Sequence, residues 1–275
     1  MSKKWLLNKT VVISGASGGI GFNVAKLLIE KYNCKIIGIC RNKEKMEKAI
    51  STLSKGKENF TYFTFDVSKR QNWQDFVSHL TENNIQVDVL INNAGFMLPF
   101  VKFEKISDSE IDEIIATNLS SVIYSTKEFI PLLKKSKTPA IVNVASAAGL
   151  SAVVGESMYC ATKYAVRGFT ETLIQDYKKQ IYVGGVYPGF IKTDILHRMS
   201  INDKENKLIS KLMMPVNKAS KKIVKGIAKK KKRTVMGFDG RMMSFFGRLF
   251  PTFTHNLTTK VLKISKLDLF EDAFN

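Results

Sequence analysis

The stretch TVVISGASGGIG, residues 10–21, joins a run of β-branched apolar residues to the glycines Gly15, Gly19 and Gly21. Such glycines let the chain turn tightly, and they let a pyrophosphate approach the exposed N–H groups at the start of a helix. Three glycines alone are weak evidence for a phosphate-binding turn, and a plain glycine-rich turn is the alternative interpretation. The strand before the glycines and the helix predicted from Ile20 favour a phosphate-binding turn instead.

Seven runs rich in apolar and β-branched residues recur along the chain, and most are apolar almost throughout, as strands buried on both faces should be. The segments between them have helical periodicity, most clearly 20–31 and 108–134. This alternation predicts an α/β fold, a single doubly wound domain whose seven-stranded parallel sheet is flanked by helices. The predicted strands are TVVIS (10–14), KIIGIC (35–40), FTYFTFD (60–66), VDVLIN (87–92), AIVNVA (140–145), IYVGGVY (181–187) and TVMGF (234–238).

The charge of the chain is its unusual property, since 43 basic against 24 acidic residues give +19 over 275 residues. Such a field attracts nucleotide phosphates, nucleic acid, anionic lipid or an acidic substrate. The alternative explanation of the positive charge is a lysine-rich genome that encodes Lys at any solvent-exposed position. Scattered histidines and three cysteines without a CxxC pair predict no metal site and no disulfide framework. Reduced thiols and an N-terminus without an apolar signal core favour a cytoplasmic protein.

Further short motifs follow the glycine turn in a recognisable order. Together with the G-x-x-x-G-x-G spacing of the turn, they resemble the short-chain dehydrogenase/reductase family over roughly residues 8–200. The resemblance implies a Rossmann-type fold and an enzyme that interconverts alcohols and ketones. The motifs are FDVS with Asp66, Asn92-Asn93-Ala94-Gly95, ATNLSS with Asn118, VASAAG with Ser146, YCATK with Tyr159 and Lys163, and YPGFIKTD with Pro188-Gly189.

The cofactor that the resemblance implies is NADP(H). An acidic residue after the second strand would bind the ribose 2′-hydroxyl of NAD, whereas Arg41 offers a guanidinium suited to a 2′-phosphate. An arginine that only caps the strand is the alternative. By resemblance, Asp66 and Val67 flank the adenine, Asn92 lies on the adenosine ribose side, and Ile191 and Thr193 lie at the nicotinamide end. The remaining cofactor contacts are expected from Gly15, Ser17, Gly19, Ile20, Gly21, Ala94, Gly95, Tyr159, Lys163 and Pro188.

The predicted catalytic residues are Asn118, Ser146, Tyr159 and Lys163. Tyr159 and Lys163 are four residues apart in a helical stretch, so their side chains share one face. A phenol is a poor base at neutral pH, and a nearby ammonium and an oxidised nicotinamide are expected to lower its pKa. Ser146 can then hold the substrate oxygen while Tyr159 transfers the proton. The resemblance adds a water relay anchored by Asn118 and a ribose contact from Lys163.

The predicted substrate pocket is apolar, which disfavours a sugar or a polyol. The preferred substrate is a hydroxysteroid of the steroid or bile-acid type, and the runner-up is a long-chain 3-ketolipid of the 3-ketosphinganine or 3-oxoacyl type. An NADP-binding regulator without turnover is a third alternative, although it would not need the proton-transfer residues. Residues 190–215 are expected to form a substrate loop. The pocket residues are Phe96, Leu98, Ala147, Val153, Met158, Phe190 and Leu196.

The C-terminal part, residues 241–275, is predicted to be a helical appendage to a catalytic domain of residues 1–240. A basic run ending at Arg233 precedes the apolar RMMSFFGRLF (241–250). No recognition motif accompanies that run, so nucleic acid is not an expected partner. The appendage has three alternative roles: peripheral contact with an anionic membrane, a lid over the pocket, or a subunit interface. The chain is expected to form a homodimer or a homotetramer.

Overall fold

The computed structural model describes residues 3–193, 213–265 and 267–275. Within these residues the strands are β1 (Thr10–Ser14), β2 (Lys35–Cys40), β3 (Phe60–Thr64), β4 (Val89–Asn92), β5 (Ala140–Val144), β6 (Tyr182–Tyr187), β7 (Ile191–Lys192), β8 (Met214–Pro215) and β9 (Arg233–Val235). Seven of them form one sheet in the order β3-β2-β1-β4-β5-β6-β9, with every neighbouring pair parallel. The predicted α/β fold with a seven-stranded parallel sheet is confirmed.

The helices lie on both faces of this sheet and at its C-terminal side. The helix predicted over 20–31 is confirmed, but the one predicted over 108–134 is interrupted by a π-helical turn at Ala116–Ser120. Such turns are frequent at functional sites, and this one contains Asn118. The helices are α1 (Gly19–Tyr32), α2 (Lys43–Ser51), α3 (Arg70–Glu82), α4 (Asp108–Ile115), α5 (Ser121–Leu133), α6 (Ser157–Asp176), α7 (Val216–Ala228), α8 (Phe238–Leu249), α9 (Pro251–Ser265) and α10 (Glu271–Phe274).

The predicted ends of several strands differ from the observed ones. The third strand ends at Thr64 instead of residue 66, because the Asp66 side chain accepts the backbone N–H of Ser68 at 2.9 Å and turns the chain. The last strand ends at Val235 instead of residue 238, since Gly237 has a φ of 87° and redirects the chain into α8. The fourth strand begins at residue 89, two residues later than predicted.

Two apolar layers hold the sheet between its helices. Neighbouring residues of β1 point to opposite faces, so Val11 belongs to one layer and Val12 to the other. The first layer packs under α1 and α7, with Ile223 fully buried, and the second under α3 and α5, with Trp73 and Phe129 fully buried. This two-sided burial explains why the predicted strands are apolar almost throughout.

The strand order positions the functional site. From β1 the chain runs outward through β2 and β3, and β4 then returns to the other side of β1. At such a switch point the loops after neighbouring strands separate and leave a crevice at the carboxyl ends of the strands. The motifs after β1, β4, β5 and β6 therefore converge on one edge of the sheet.

The C-terminal helices return to this edge. Leu269, Phe270 and Ala273 pack in a third apolar cluster with Met97 and Phe100, and the rings of Phe100 and Phe270 are 4.7 Å apart. The parallel pair β7–β8, which the sequence did not predict, flanks residues 194–212, so most of the predicted 190–215 loop lies outside the described residues. Within the described part of the chain, every helix is too short or too polar to serve as a membrane span.

Candidate active site

A cavity of about 490 Å³ lies at the carboxyl ends of the strands. It brings together most of the residues that the sequence predicted, from the glycine turn at one end to an apolar wall at the other. The predicted residues that line it are Gly15, Ser17, Gly19, Ile20, Arg41, Ala94, Gly95, Phe96, Ser146, Ala147, Val153, Tyr159, Lys163, Pro188, Phe190, Ile191 and Thr193.

The glycine turn has the conformation that glycine permits. Gly15 and Gly19 have φ values of 67° and 52°, in the left-handed region. Gly21 lies outside the cavity wall, and a Cβ there would come within 2.3 Å of the Gly15 carbonyl oxygen. Its role is therefore close packing of α1 against the turn. The turn and the start of α1 at Gly19 face the cavity, which fits the pyrophosphate of a dinucleotide.

Asn93, which the sequence analysis did not assign to the site, holds this turn in place. Its side-chain amide donates to the carbonyl oxygens of Ser14 and Gly15, at 3.0 and 3.2 Å. In return, the Ser14 hydroxyl accepts the backbone N–H groups of Asn93 and Ala94, both at 3.0 Å. These four bonds join the loop after β1 to the loop after β4 and fix the width of the crevice between them.

Ser146, Tyr159 and Lys163 meet at the centre of the cavity. Ser146 follows β5, and Tyr159 and Lys163 lie on one face of α6. The Lys163 Nζ lies 5.5 Å from the centre of the Tyr159 ring and donates to the Val144 carbonyl oxygen at 3.4 Å. The Ser146 side chain is close enough to the Tyr159 phenol to lower its pKa. The predicted juxtaposition of these three side chains is therefore present in the structure.

Burial changes the proton affinity of two of these groups in opposite directions. Burial raises the pKa of Tyr159, and the Ser146 side chain opposes this effect. Without cofactor the net effect is a raised pKa because desolvation of the phenol is the largest contribution, and the lowering expected from Lys163 together with an oxidised nicotinamide stays a prediction. Burial also lowers the pKa of Lys163 from its usual 10.5 to about 8, so its ammonium form still prevails at neutral pH.

Asn118 is fully buried and lies behind the cavity wall. Its Oδ1 accepts the backbone N–H of Phe96, and its Nδ2 donates to the Phe96 carbonyl oxygen, both at 2.9 Å. A Cβ at Gly95 would come within 3.0 Å of the Asn118 Oδ1 and 3.2 Å of the Lys163 Nζ. Asn118 therefore fixes the Phe96 backbone, and a side chain at Gly95 would crowd both Asn118 and Lys163.

The adenosine end of the cavity carries charged groups. Arg41 and Lys45 line it, and the Arg41 guanidinium lies 4.0 Å from Glu113 in a solvent-exposed pair, which contributes little energy. Partial burial would raise the pKa of Asp66, but the hydrogen bonds from Ser68 and the charges of Arg41 and Lys69 outweigh it, so that pKa is lowered. These groups fit the ribose phosphate and adenine of a dinucleotide.

Several predicted residues do not line the cavity. The Asn92 side chain lies inside the fold, where it donates to Asn143 at 2.9 Å and accepts from Ser125 at 2.7 Å. These internal bonds turn the side chain away from the crevice, so a contact of Asn92 with the ribose stays a prediction for its backbone. Leu196 lies outside the described residues. The others that do not line the cavity are Gly21, Asp66, Val67, Leu98, Met158 and Asn118.

The apolar end of the cavity contains further apolar residues, two of which the sequence analysis missed. Met97, Phe100, Met213 and Met243 extend the wall formed by the predicted residues. Met213 borders the undescribed stretch, and Met243 comes from the appendage, so sequence motifs gave no signal for either.

Two acidic residues at the cavity were also missed. Glu156 precedes α6, and its side chain is buried. Asp239 lies in α8 and accepts the backbone N–H of Phe190 at 2.7 Å, which joins the loop after β6 to the appendage. Glu156 could have been found from its position three residues before Tyr159, whereas Asp239 is 49 residues from its partner and has no such signal.

Comparison with known proteins agrees with this geometry. The family model described as short chain dehydrogenase matches residues 9–204. A 3-oxoacyl-(acyl-carrier-protein) reductase of Chlamydia trachomatis is 35% identical over 206 residues, which cover 72% of this chain and 80% of that protein. An NADPH-dependent pterin aldehyde reductase of Arabidopsis thaliana is 30% identical over 188 residues, covering 68% of this chain and 77% of that protein.

The fold has close structural neighbours as well. A short-chain dehydrogenase/reductase of Burkholderia phymatum, solved in complex with NAD, superimposes with a TM-score of 0.75. The match covers 94% of this chain and 96% of that chain at 20% sequence identity, and therefore shows a shared fold.

Proposed function

Since the chain belongs to the short-chain dehydrogenase/reductase family and is an oxidoreductase of that family, we propose that it reduces a ketone on a bulky apolar substrate with NADPH. The preferred substrate is a long-chain 3-oxo compound of the 3-oxoacyl type. The observation that carries the proposal is the meeting of Ser146, Tyr159 and Lys163 beside an apolar wall. Similarity to a 3-oxoacyl reductase favours this substrate over the steroid preferred from sequence.

The three central residues have separate roles in this proposal. The Ser146 hydroxyl holds the carbonyl oxygen of the substrate, and Tyr159 donates its phenolic proton to that oxygen. The raised pKa of Tyr159 keeps the phenol protonated at neutral pH, which suits a proton donor in the direction of reduction. Lys163 places a positive charge beside the phenol and stabilises the phenolate that remains. The bound nicotinamide would supply the hydride.

The preference for NADPH is proposed from Arg41 and Lys45. Both line the adenosine end of the cavity, where two cations suit a 2′-phosphate better than a free 2′-hydroxyl. The pair of Arg41 with Glu113 at 4.0 Å is exposed to solvent and competes only weakly for the guanidinium. The NADPH dependence of the pterin aldehyde reductase is consistent with this assignment.

A hydroxysteroid remains the second candidate substrate. The composition of the wall favours it, because Phe96, Phe100, Met213 and Met243 are large apolar side chains that suit an apolar ring system. An NADP-binding regulator without turnover is disfavoured, since such a protein would have no need for a serine, a tyrosine and a lysine together at the cavity.

The test is oxidation of NADPH, followed at 340 nm, with matched long-chain 3-oxo thioesters, 3-ketosphinganine and ketosteroids. Turnover of the 3-oxo thioesters, lost in Tyr159→Phe, is the expected result. Selective turnover of one ketosteroid would replace the preferred substrate by the second candidate. Tight NADPH binding without turnover of any ketone would overturn the proposed reaction.

We also propose that the chain contacts anionic membranes peripherally from the cytoplasm. The face concerned, called the appendage face here, consists of exposed side chains of α8 and α9. Between Gly240 and Ser265 the sequence contains four basic residues and no acidic one, which is complementary to an anionic lipid surface. The apolar residues of the face recur at helical spacing and are Phe238, Phe245, Leu249, Phe250, Phe253, Leu257, Val261 and Ile264.

The appendage face is linked to the cavity through α8. Asp239 and Met243 lie on the side of that helix that lines the cavity, while Phe238 and Phe245 lie on nearly the opposite side and are 81% and 60% exposed. A lipid substrate dissolved in the bilayer would thus be close to the entrance of the cavity.

Cosedimentation with vesicles tests the membrane contact. Phe245→Ser combined with Phe253→Ser should weaken binding to vesicles that contain phosphatidylserine at least ~10-fold, because two phenyl groups lose their burial in lipid. The control is Phe103→Ser, which changes a 55% exposed phenylalanine outside the appendage and should have no effect. If the double variant instead turns a dimer or tetramer into a monomer, the face is a subunit interface and the membrane proposal is wrong.

A further inference from the structure

Glu156 is an acidic side chain in an apolar part of the cavity wall. It lines the cavity and is only 3% exposed. Neither of its carboxyl oxygens has a hydrogen-bond partner in the part of the chain that the structure describes. Burying a polar group without a partner costs several kcal/mol, so such a group is expected to serve a ligand.

The position of Glu156 places it beside the reacting atoms. It precedes the first residue of α6, three residues before Tyr159, so the two side chains project from the same side of the chain. Glu156 and Tyr159 both line the cavity, so the carboxyl group and the phenol border the same substrate space. A substrate whose ketone contacts Tyr159 would therefore bring its neighbouring atoms to Glu156.

The other charged and titratable groups at the cavity do not pair with Glu156. Arg41 and Lys45 lie at the adenosine end, and the Lys163 ammonium donates to the Val144 carbonyl oxygen. Asp239 is bonded to the Phe190 backbone, and the buried Cys160 has a pKa raised to about 11, so its thiol is neutral. No cation among the described residues pairs with Glu156, and burial raises its pKa well above its usual value. A neutral carboxyl group has one O–H to donate.

We propose that Glu156 is a specificity residue that donates a hydrogen bond from its carboxyl group to a second carbonyl oxygen on the substrate, next to the ketone that is reduced. The inference rests on the proposed reductase function and narrows it to 1,3-dicarbonyl compounds, such as 3-oxo esters and thioesters. A simple ketone leaves the buried carboxyl group without a partner. Glu156 thereby selects between two apolar ketones that the remainder of the wall would treat alike.

The experiment compares two substrates at saturating NADPH, a long-chain 3-oxo ester and a ketone of equal length in which a methylene replaces the ester carbonyl. Glu156→Leu should lower kcat/KM for the ester about 10- to 100-fold, as expected for one lost hydrogen bond in a desolvated site, and leave the ketone unchanged. Glu156→Gln keeps an N–H donor and should retain most of the activity on the ester. Equal losses on both substrates in Glu156→Leu, or no loss on either, would overturn the inference.

A pH profile of the wild type and Glu156→Gln keeps the inference testable if the leucine variant does not fold. Ionisation of Glu156 removes the donor, so kcat/KM for the ester should fall with rising pH in the wild type relative to the glutamine variant. Lys163, with a pKa of about 8, titrates equally in both proteins and cancels in the ratio. If the ratio of the wild-type kcat/KM to that of Glu156→Gln does not change with pH for the ester, Glu156 is not the hydrogen-bond donor. If neither substrate is reduced by the wild type, the proposed reductase function itself fails.

Discussion

Replacing Lys163 by Met should stabilise the fold while it abolishes turnover. The lysine is 4% exposed, and its burial lowers its pKa from 10.5 to about 8. Such a group destabilises the folded state at neutral pH, because the unfolded chain holds the proton more tightly than the folded chain. The difference between the two pKa values corresponds to about 3 kcal/mol at pH 7, which the unbranched and uncharged methionine should recover.

The dependence on pH identifies the origin of this gain. As the pH rises through the folded pKa of about 8, the folded chain loses the proton while the unfolded chain keeps it. The destabilisation by Lys163 therefore shrinks to less than half of its neutral-pH value near pH 9.5 and disappears above the unfolded pKa. Burial also raises the pKa of Cys34 to about 12 and that of Cys160 to about 11, and both act in the opposite direction above pH 9. These groups are shared by both proteins and cancel in the difference.

The assay is urea unfolding of the wild type and Lys163→Met without cofactor, followed by tryptophan fluorescence at several values between pH 7 and 9.5. The control is Lys127→Met, which changes an exposed lysine of α5 and should alter stability by less than ~0.5 kcal/mol. A difference between wild type and Lys163→Met that is close to zero, or that does not decrease with pH, would refute the argument from burial.

Three further predictions follow from the site. Tyr159→Phe should lower kcat at least ~100-fold and leave NADPH binding unchanged in a fluorescence titration. The reason is that the phenol transfers a proton but does not hold the adenosine end of the cofactor. A loss of NADPH binding would contradict this role. Arg41→Asp should shift the ratio of kcat/KM values toward NAD at least ~10-fold, and an unchanged ratio would contradict the contact with a 2′-phosphate. Gly21→Ala should lower the thermal midpoint, since its Cβ would meet the Gly15 carbonyl oxygen at 2.3 Å. Gly168→Ala should instead raise the thermal midpoint. Gly168 lies on an exposed part of α6, and nothing lies within 4 Å of the new Cβ.

The parts of the site that sequence predicted correctly are those fixed by local motifs. The glycine turn needs a left-handed φ at Gly15 and Gly19, and the pair Tyr159 and Lys163 needs helical spacing, so a few neighbouring residues carry the information. Apolar runs buried on both faces likewise predicted the parallel sheet. In each case the physical requirement lies within a short stretch of chain.

The parts that sequence missed depend on contacts between distant residues. Asp239 reaches Phe190 from 49 residues away, and the appendage brings Met243 to the cavity and Phe270 against Phe100. The inward orientation of Asn92 is set by hydrogen bonds with Ser125 and Asn143 that only the packed sheet and α5 create. The raised pKa of Tyr159 likewise reflects burial, which no local motif reveals.

The cavity has two electrostatic environments, and the apolar one suits the proposed direction of reduction. At the adenosine end Arg41 is exposed and Asp66 has a lowered pKa, so charged forms are stable there. At the apolar end burial favours the neutral forms of Tyr159 and Glu156. Oxidation of an alcohol needs a phenolate base in that apolar environment, whereas reduction of a ketone needs the neutral phenol that burial already favours. The same desolvation therefore supplies a proton donor for the ketone and a hydrogen-bond donor for the second carbonyl, without any additional charged group.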